Sequence, residues 1–426
     1  MRSPCFVLAF TLLSLLAAPA QTLEVGFAKR SLVTEKKRVS LGGYGGRGLV
    51  PMHTVHDPVY VKAMVIKSGD EAFCLVTFDL IGVQRTLLEG LERRGFPEHV
   101  GLQREDLLLC ASHTHSSYGG LAKPTGAWYL DGLFLVTCGP FNRGLFEEVL
   151  DKTHATIVEA WESLAPARFG AGSEEVPGLS RNRGRSGDVT DPELGVLKVT
   201  APDGALRGLV VNFTAHPTQL GADNFAVSGA YPGAMQRVLE ERYPGATVLF
   251  TNGAEGDQSV SGPPGEFATT WEKVEATGAR LADHVDRIQA GIETRAQLAL
   301  ETHSATFALP KPGSFKERLK HTGGAKKSLF AQVTLGDTLL MGVPGEPCCR
   351  IGLDLKRGAK ELGFRHAFVI GLAQDHCGYF VHAHDYGPGF ETSHDYEKKL
   401  NLYGHGIGEF LVDVHLRRFA PTPLAR

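Results

Sequence analysis

Short β-rich runs alternate with helical patterns along almost the whole of this 426-residue chain, and that alternation restricts it to an α/β layer architecture. Strands are read at Val61–Ile66, Ala72–Ile81, Asp106–Ser112, Gly195–Thr200, Ala205–Phe213, Ala246–Asn252, Leu298–Leu309, Leu329–Gly342 and Ala367–Leu372. Helical spacing of apolar residues marks Thr86–Arg94, Leu145–Leu164, Ala234–Tyr243, Thr269–Ile292, Cys349–Leu362 and Asp395–Arg418. Turns are signalled by Pro202-Asp203-Gly204 and Gly336-Asp337, and Pro310–Lys327 reads as a long loop. The sequence shows no internal repeat and no low-complexity linker. The expected fold is therefore α/β, with mixed sheets, packed helices and an active site at the C-terminal ends of the strands, and residues 21–426 are expected to form one domain.

The first twenty residues differ from the rest. Arg2 precedes an apolar stretch from Phe6 to Leu16, followed by Ala17, Ala18, Pro19 and Ala20. That run is too short to cross a bilayer, and Ala18 and Ala20 have the small-x-small spacing read by signal peptidase. A signal peptide at 1–20, cleaved near Ala20, predicts a secreted or periplasmic protein. No later segment reaches about eighteen apolar residues, so the mature chain reads as soluble. Cys74, Cys110, Cys138, Cys348, Cys349 and Cys377 remain after cleavage. An even count permits disulfides without requiring them, and Cys74 and Cys110 sit in apolar runs that suit buried free thiols. The 44 basic residues nearly balance 47 acidic ones without long runs of one sign, which argues against a nucleic-acid partner.

Familiar catalytic signatures are few. Gly43-Tyr44-Gly45-Gly46-Arg47-Gly48 matches a dinucleotide-binding string, but Leu49-Val50-Pro51 follows where a helix is required. There is no P-loop, and no serine stands in a nucleophile elbow. Instead, polar residues recur directly after apolar strands. One strand runs into His113-Thr114-His115, where strand pleating would turn both rings to one face. A second delivers His216. A third ends in Asn252-Gly-Ala-Glu255-Gly-Asp257-Gln-Ser259, a fourth in Pro344-Gly-Glu346, and a fifth in Asp375-His376-Cys-Gly-Tyr379. In open α/β sheets, loops at the carboxyl ends of strands gather into one crevice. Two or three imidazoles with a carboxylate describe a catalytic zinc site that leaves a coordination position for water.

With these residues in view, the sequence resembles the neutral, non-lysosomal ceramidase family, secreted or membrane-associated zinc amidases that cut the amide of N-acylsphingosine. The likeness runs in order through Gly43-Tyr44, His113-Thr114-His115-Ser116, Asn182-Arg183, Thr214-Ala215-His216-Pro217, Asn252 to Ser259, Pro344-Gly345-Glu346 and Gly371 to Tyr379. The resemblance implies zinc ligands at His113, His216, Glu346 and Tyr379. It also implies His115 as a proton-transfer histidine, Arg183 in the active-site wall, and Ser259 at a serine once described as a nucleophile. Without an elbow, Ser259 suits a hydrogen-bond donor better.

The resemblance has departures. Full-length members of the family carry a further C-terminal β domain, whereas this sequence ends at Arg426. His382-Ala-His384 replaces a threonine-rich run, and Phe390-Glu391 stands where a Tyr-Glu pair is expected. His376, His382 and His384 are open to two readings, a second metal position or a wet loop, of which the loop is preferred. Trp128–Thr137 is read either as an acyl-chain wall or as ordinary core. The expected substrate is a lipid or other N-acyl amine, met through peripheral membrane contact; the alternative is a zinc hydrolase of another amide or ester.

Overall fold

The computed structural model describes residues 22–419, apart from 37, 97–99, 185–188, 313–317, 320 and 389–394. The signal-peptide reading and Phe390-Glu391 lie outside the described residues. One five-stranded and two four-stranded sheets carry the fold, the first gaining a two-residue edge strand, Ala165–Pro166, that pairs antiparallel with its first strand. The first contains Leu23–Ser31 (β1), Tyr60–Ser68 (β2), Glu71–Phe78 (β3) and Leu107–Ala111 (β4). The second contains Arg168–Glu175 (β5), Glu193–Thr200 (β6), Leu206–Phe213 (β7) and Thr247–Asn252 (β8). The third contains Leu300–Ala308 (β9), Lys327–Leu335 (β10), Thr338–Gly342 (β11) and His366–Ile370 (β12). The helices are Arg85–Arg93 (α1), Trp128–Cys138 (α2), Arg143–Glu162 (α3), Ala230–Arg242 (α4), Thr270–Ala290 (α5), Cys349–Glu361 (α6), Asp395–Leu400 (α7) and Ile407–Leu416 (α8).

Each sheet has the same plan. Its first three strands pair antiparallel in sequence order, and its fourth returns after a helix to lie parallel to the third. The helices that make these returns are α1, α4 and α6. The sequence, read as free of repeats, hides this threefold recurrence because the repeated feature is backbone topology, while side chains in the three units differ.

All twelve strands send side chains into one shared core. Met64 and Ile66 of β2, Phe73 of β3, Leu197 of β6, Val210 of β7 and Phe368 of β12 meet there, all nearly inaccessible to water. Helices cover the opposite faces: α1 and α3 on the first sheet, α4 and α5 on the second, α2, α6 and α8 on the third. Burial on both faces explains why a strand such as β4 reads as an unbroken apolar run. Each such side chain taken from water contributes roughly 1.5–3 kcal/mol.

The strands and helices expected from the sequence are present, with these differences, to which the unexpected helix α2 is added. Strands β1 and β5 were not anticipated because Gly26, Gly170 and Gly172 weaken their β signal. Gly26 is required where α3 crosses β1, since a Cβ there would lie 2.0 Å from the Ala160 carbonyl. The expected helix at Asp395–Arg418 is divided: Asn401 turns its side chain onto Tyr403 N and the Gly404 carbonyl, and Gly404 has φ +81°. Helix α4 starts four residues early, with Pro232 in its first turn. The six cysteines from Cys74 to Cys377 are all buried free thiols.

Candidate metal centre

The parallel strand pair of each sheet ends at one place, and the loops leaving those six strand ends build the site. From the first sheet come Ile81 after β3 and His113 after β4; from the second, His216 after β7 and Glu255 after β8; from the third, Glu346 after β11 and His376 and Tyr379 after β12. His113 has φ +66°, the left-handed region that a non-glycine residue occupies at a cost of order 1–3 kcal/mol. This turn, beyond the end of β4, brings Nε2 of His115 to 3.2 Å from Nε2 of His113. The two rings therefore meet through a strained turn and not through the pleat of a strand.

Nε2 of His113 lies 3.3 Å from Oε2 of Glu346, and Nε2 of His216 lies 3.2 Å from the same oxygen. The Tyr379 hydroxyl is 3.4 Å from His216 Nε2. Carbonyl acceptors define the ring tautomers: His113 Nδ1 lies 2.6 Å from the Ile81 oxygen, and His216 Nδ1 lies 2.7 Å from that of Glu255. A carbonyl only accepts, so each Nδ1 carries a proton, and Nε2 of a neutral ring so oriented turns a lone pair toward the carboxylate. Burial, with Arg183 and His113 nearby, pushes His216 down to about 3, so its ring is neutral.

Lone pairs facing an anionic oxygen at this range call for a cation between them. Donors about 2.0–2.1 Å from a tetrahedral ion stand roughly 3.3 Å apart, the spacing found here. Two neutral imidazoles, a carboxylate and a phenol are a chemically suitable set for zinc. The residues thus fit a divalent ion.

The surrounding residues hold this set. Arg183 donates to the Tyr379 hydroxyl at 2.9 Å, to Glu397 at 2.9 Å and to the Gly256 carbonyl at 2.7 Å. His115 is buried, and burial, His113 and His216 push it well below an ordinary histidine; its Nδ1 has no hydrogen-bond partner. The glycine string set aside as a nucleotide motif serves this ring, since a Cβ on Gly43 would stand 2.4 Å from His115 Nδ1. Ser259 pairs with His216 through a β-bridge and is not among the residues lining the pocket around the donors.

That pocket has an apolar wall. Leu133 and Phe134 of α2, Ile81, Tyr396 and Leu400 line it beside the donors. The Trp128–Thr137 stretch is a helix: its inner side forms this wall, while Trp128, Leu135 and Val136 are 58%, 48% and 51% exposed. The three histidines left open by the sequence separate. His376 Nε2 lies 3.0 Å from Glu346 Oε1, placing it in the site, whereas His382 pairs with Asp354 at 3.0 Å and His384 lies against Asp385. The preferred wet-loop reading thus fails for His376, and the sequence assigned no role to Glu255 or Glu397. Glu255 had a signal, a carboxylate set among small residues in the loop after β8.

Fold and site together define an α/β protein with a buried histidine–carboxylate centre at the strand ends. The chain belongs to the neutral/alkaline non-lysosomal ceramidase family: the profile of that family's N-terminal region matches residues 24–254, more than half of the chain. It is 24% identical over 219 residues to the neutral ceramidase of Pseudomonas aeruginosa, a match covering 48% of this chain and 31% of the relative's length. The crystal structure of neutral ceramidase from Pseudomonas aeruginosa superposes with a TM-score of 0.81 at 18% identity, covering 95% of this chain and 76% of that one. A structure of a ceramidase complexed with C2 gives a TM-score of 0.79 at 18% identity.

Proposed function

We propose that this protein is a secreted or periplasmic zinc-dependent amidase that hydrolyses the N-acyl bond of ceramide or a related N-acyl lipid, with residues 1–20 as a signal peptide. The observation that carries the reading is the convergence of His113 and His216 Nε2 on Oε2 of Glu346, at 3.3 and 3.2 Å, beside the Tyr379 hydroxyl. His113, His216, Glu346 and Tyr379 are the ligands. A zinc ion there supplies a Lewis acid that lowers the pKa of a coordinated water and polarises the scissile carbonyl.

The protein's own groups do the rest. His115, in contact with His113, would take at Nε2 a proton from the water that attacks the acyl carbon and deliver it to the amide nitrogen, so that the new C–O bond replaces the broken C–N bond and the amine leaves. Arg183 positions the Tyr379 oxygen and adds positive charge to the wall. Ser259 supports the His216 loop through its bridge and is not the attacking group. The wall of Leu133, Phe134 and Ile81 receives an alkyl chain. The exposed Trp128, Leu135 and Val136, on the same helix as that wall, supply peripheral contact with a lipid surface.

The test is hydrolysis of a fluorescent N-acylsphingosine before and after chelation, with H113A and H216A as controls. Turnover that chelation abolishes and zinc restores supports the proposal. Turnover confined to short esters or polar N-acyl compounds points to a zinc hydrolase without lipid specificity. Turnover unaffected by chelation overturns the metal reading.

A further inference from the structure

The carboxylate of Glu255 is fully buried, and neither of its oxygens has a hydrogen-bond partner. Leaving a carboxylate in that condition is among the costliest arrangements in a protein interior unless a cation or proton compensates it. Its direction is specific. One ligand atom each of His113, Glu255 and Glu346 fall within 4.8 Å of one another. The backbone of the same residue holds His216, whose Nδ1 lies 2.7 Å from the Glu255 carbonyl. The third sheet leaves room for the side chain: a Cβ on Gly371 would stand 2.4 Å from Glu255 Oε2. A glycine that clears space for an unpaired carboxylate beside two metal donors builds a cradle for a charge.

We propose that Glu255 is a further protein donor to the metal ion, a second carboxylate beside Glu346. The inference rests on the metal-centre reading above and goes beyond it by adding an oxygen donor. Two carboxylates, ionised in the presence of the cation, balance a divalent charge. Glu255 thereby couples the centre to the β8 loop twice, through its side chain at the ion and through its carbonyl at His216.

The test is competition between the metal-stripped full chain and a chromophoric zinc chelator, for the wild type, E255Q and E255A. The expected result is zinc affinity at least about tenfold weaker in both variants, because Gln keeps the shape but loses the anionic donor. Affinity in E255Q within twofold of the wild type, or tighter, overturns the inference, since it makes the carboxyl a neutral filler. A wild type that binds no zinc overturns the metal-centre reading as well, so the two failures are distinguishable. Should the variants fail to fold, the zinc-loaded wild-type crystal decides: Glu255 oxygen within about 2.2 Å of the ion supports the inference, and beyond about 3 Å overturns it.

Discussion

Gly43 abuts His115 so closely that its missing Cβ would stand 2.4 Å from the ring Nδ1. Gly43 also has φ +103°, a backbone region that L side chains rarely adopt. G43A therefore displaces the His115 ring, the proposed proton-transfer group, while leaving His113, His216 and Glu346 in place. The expected outcome is kcat lowered by about 10²-fold or more, the size of a general acid–base contribution. Zinc uptake, read by metal analysis, should stay at the wild-type level.

Arg183 and Glu397 pair at 2.9 Å, the arginine side chain 23% exposed and the glutamate 3%. R183M strands that carboxylate and releases Tyr379. Stranding that buried carboxylate costs about 2–4 kcal/mol, below the full figure for a buried pair because Arg183 is partly exposed. In chemical denaturation R183M should lose that much, and the double variant R183M/E397Q should recover most of the stability but not the activity. Equal stability of the single and double variants would contradict the pairing.

Asp79 supplies a pH dependence remote from the metal donors. Burial outweighs Lys62 and the bonds from Tyr60 and Gln236, and raises this carboxyl to about 6. The folded state thus holds a proton that the unfolded chain releases near 4, and stability falls as pH rises from about 4 to 6. D79N should be more stable than the wild type at pH 7.5, by about 1–3 kcal/mol. Thermal melts should show that advantage disappearing by about pH 4.

Much of the site could be read from the sequence because its donors follow apolar strands within a few residues: His113, His216 and Glu346 each stand just past a strand end. Local pattern carries that information. What it does not carry is direction. The contact of His376 with Glu346 depends on how two loops of the third sheet pack, and the inward turn of Glu255 depends on Gly371, 116 positions onward (371 − 255). The union of three sheets into one core was hidden for the same reason, since Phe368 faces Gly195 only in the folded chain.

That last contact is also testable. A Cβ on Gly195 would lie 2.2 Å from the Phe368 ring, so G195A overpacks the seam between the second and third sheets. A loss of about 1–3 kcal/mol is expected in denaturant titration, with part of it recovered by F368L in the same background.

Zinc uptake by the stripped protein, measured by equilibrium dialysis and elemental analysis, bears most directly on the convergence of His113, His216 and Glu346. The account predicts one zinc ion per chain for the wild type and near-complete loss in each of H113A, H216A and E346Q. Uptake unchanged by any one of these substitutions would contradict it.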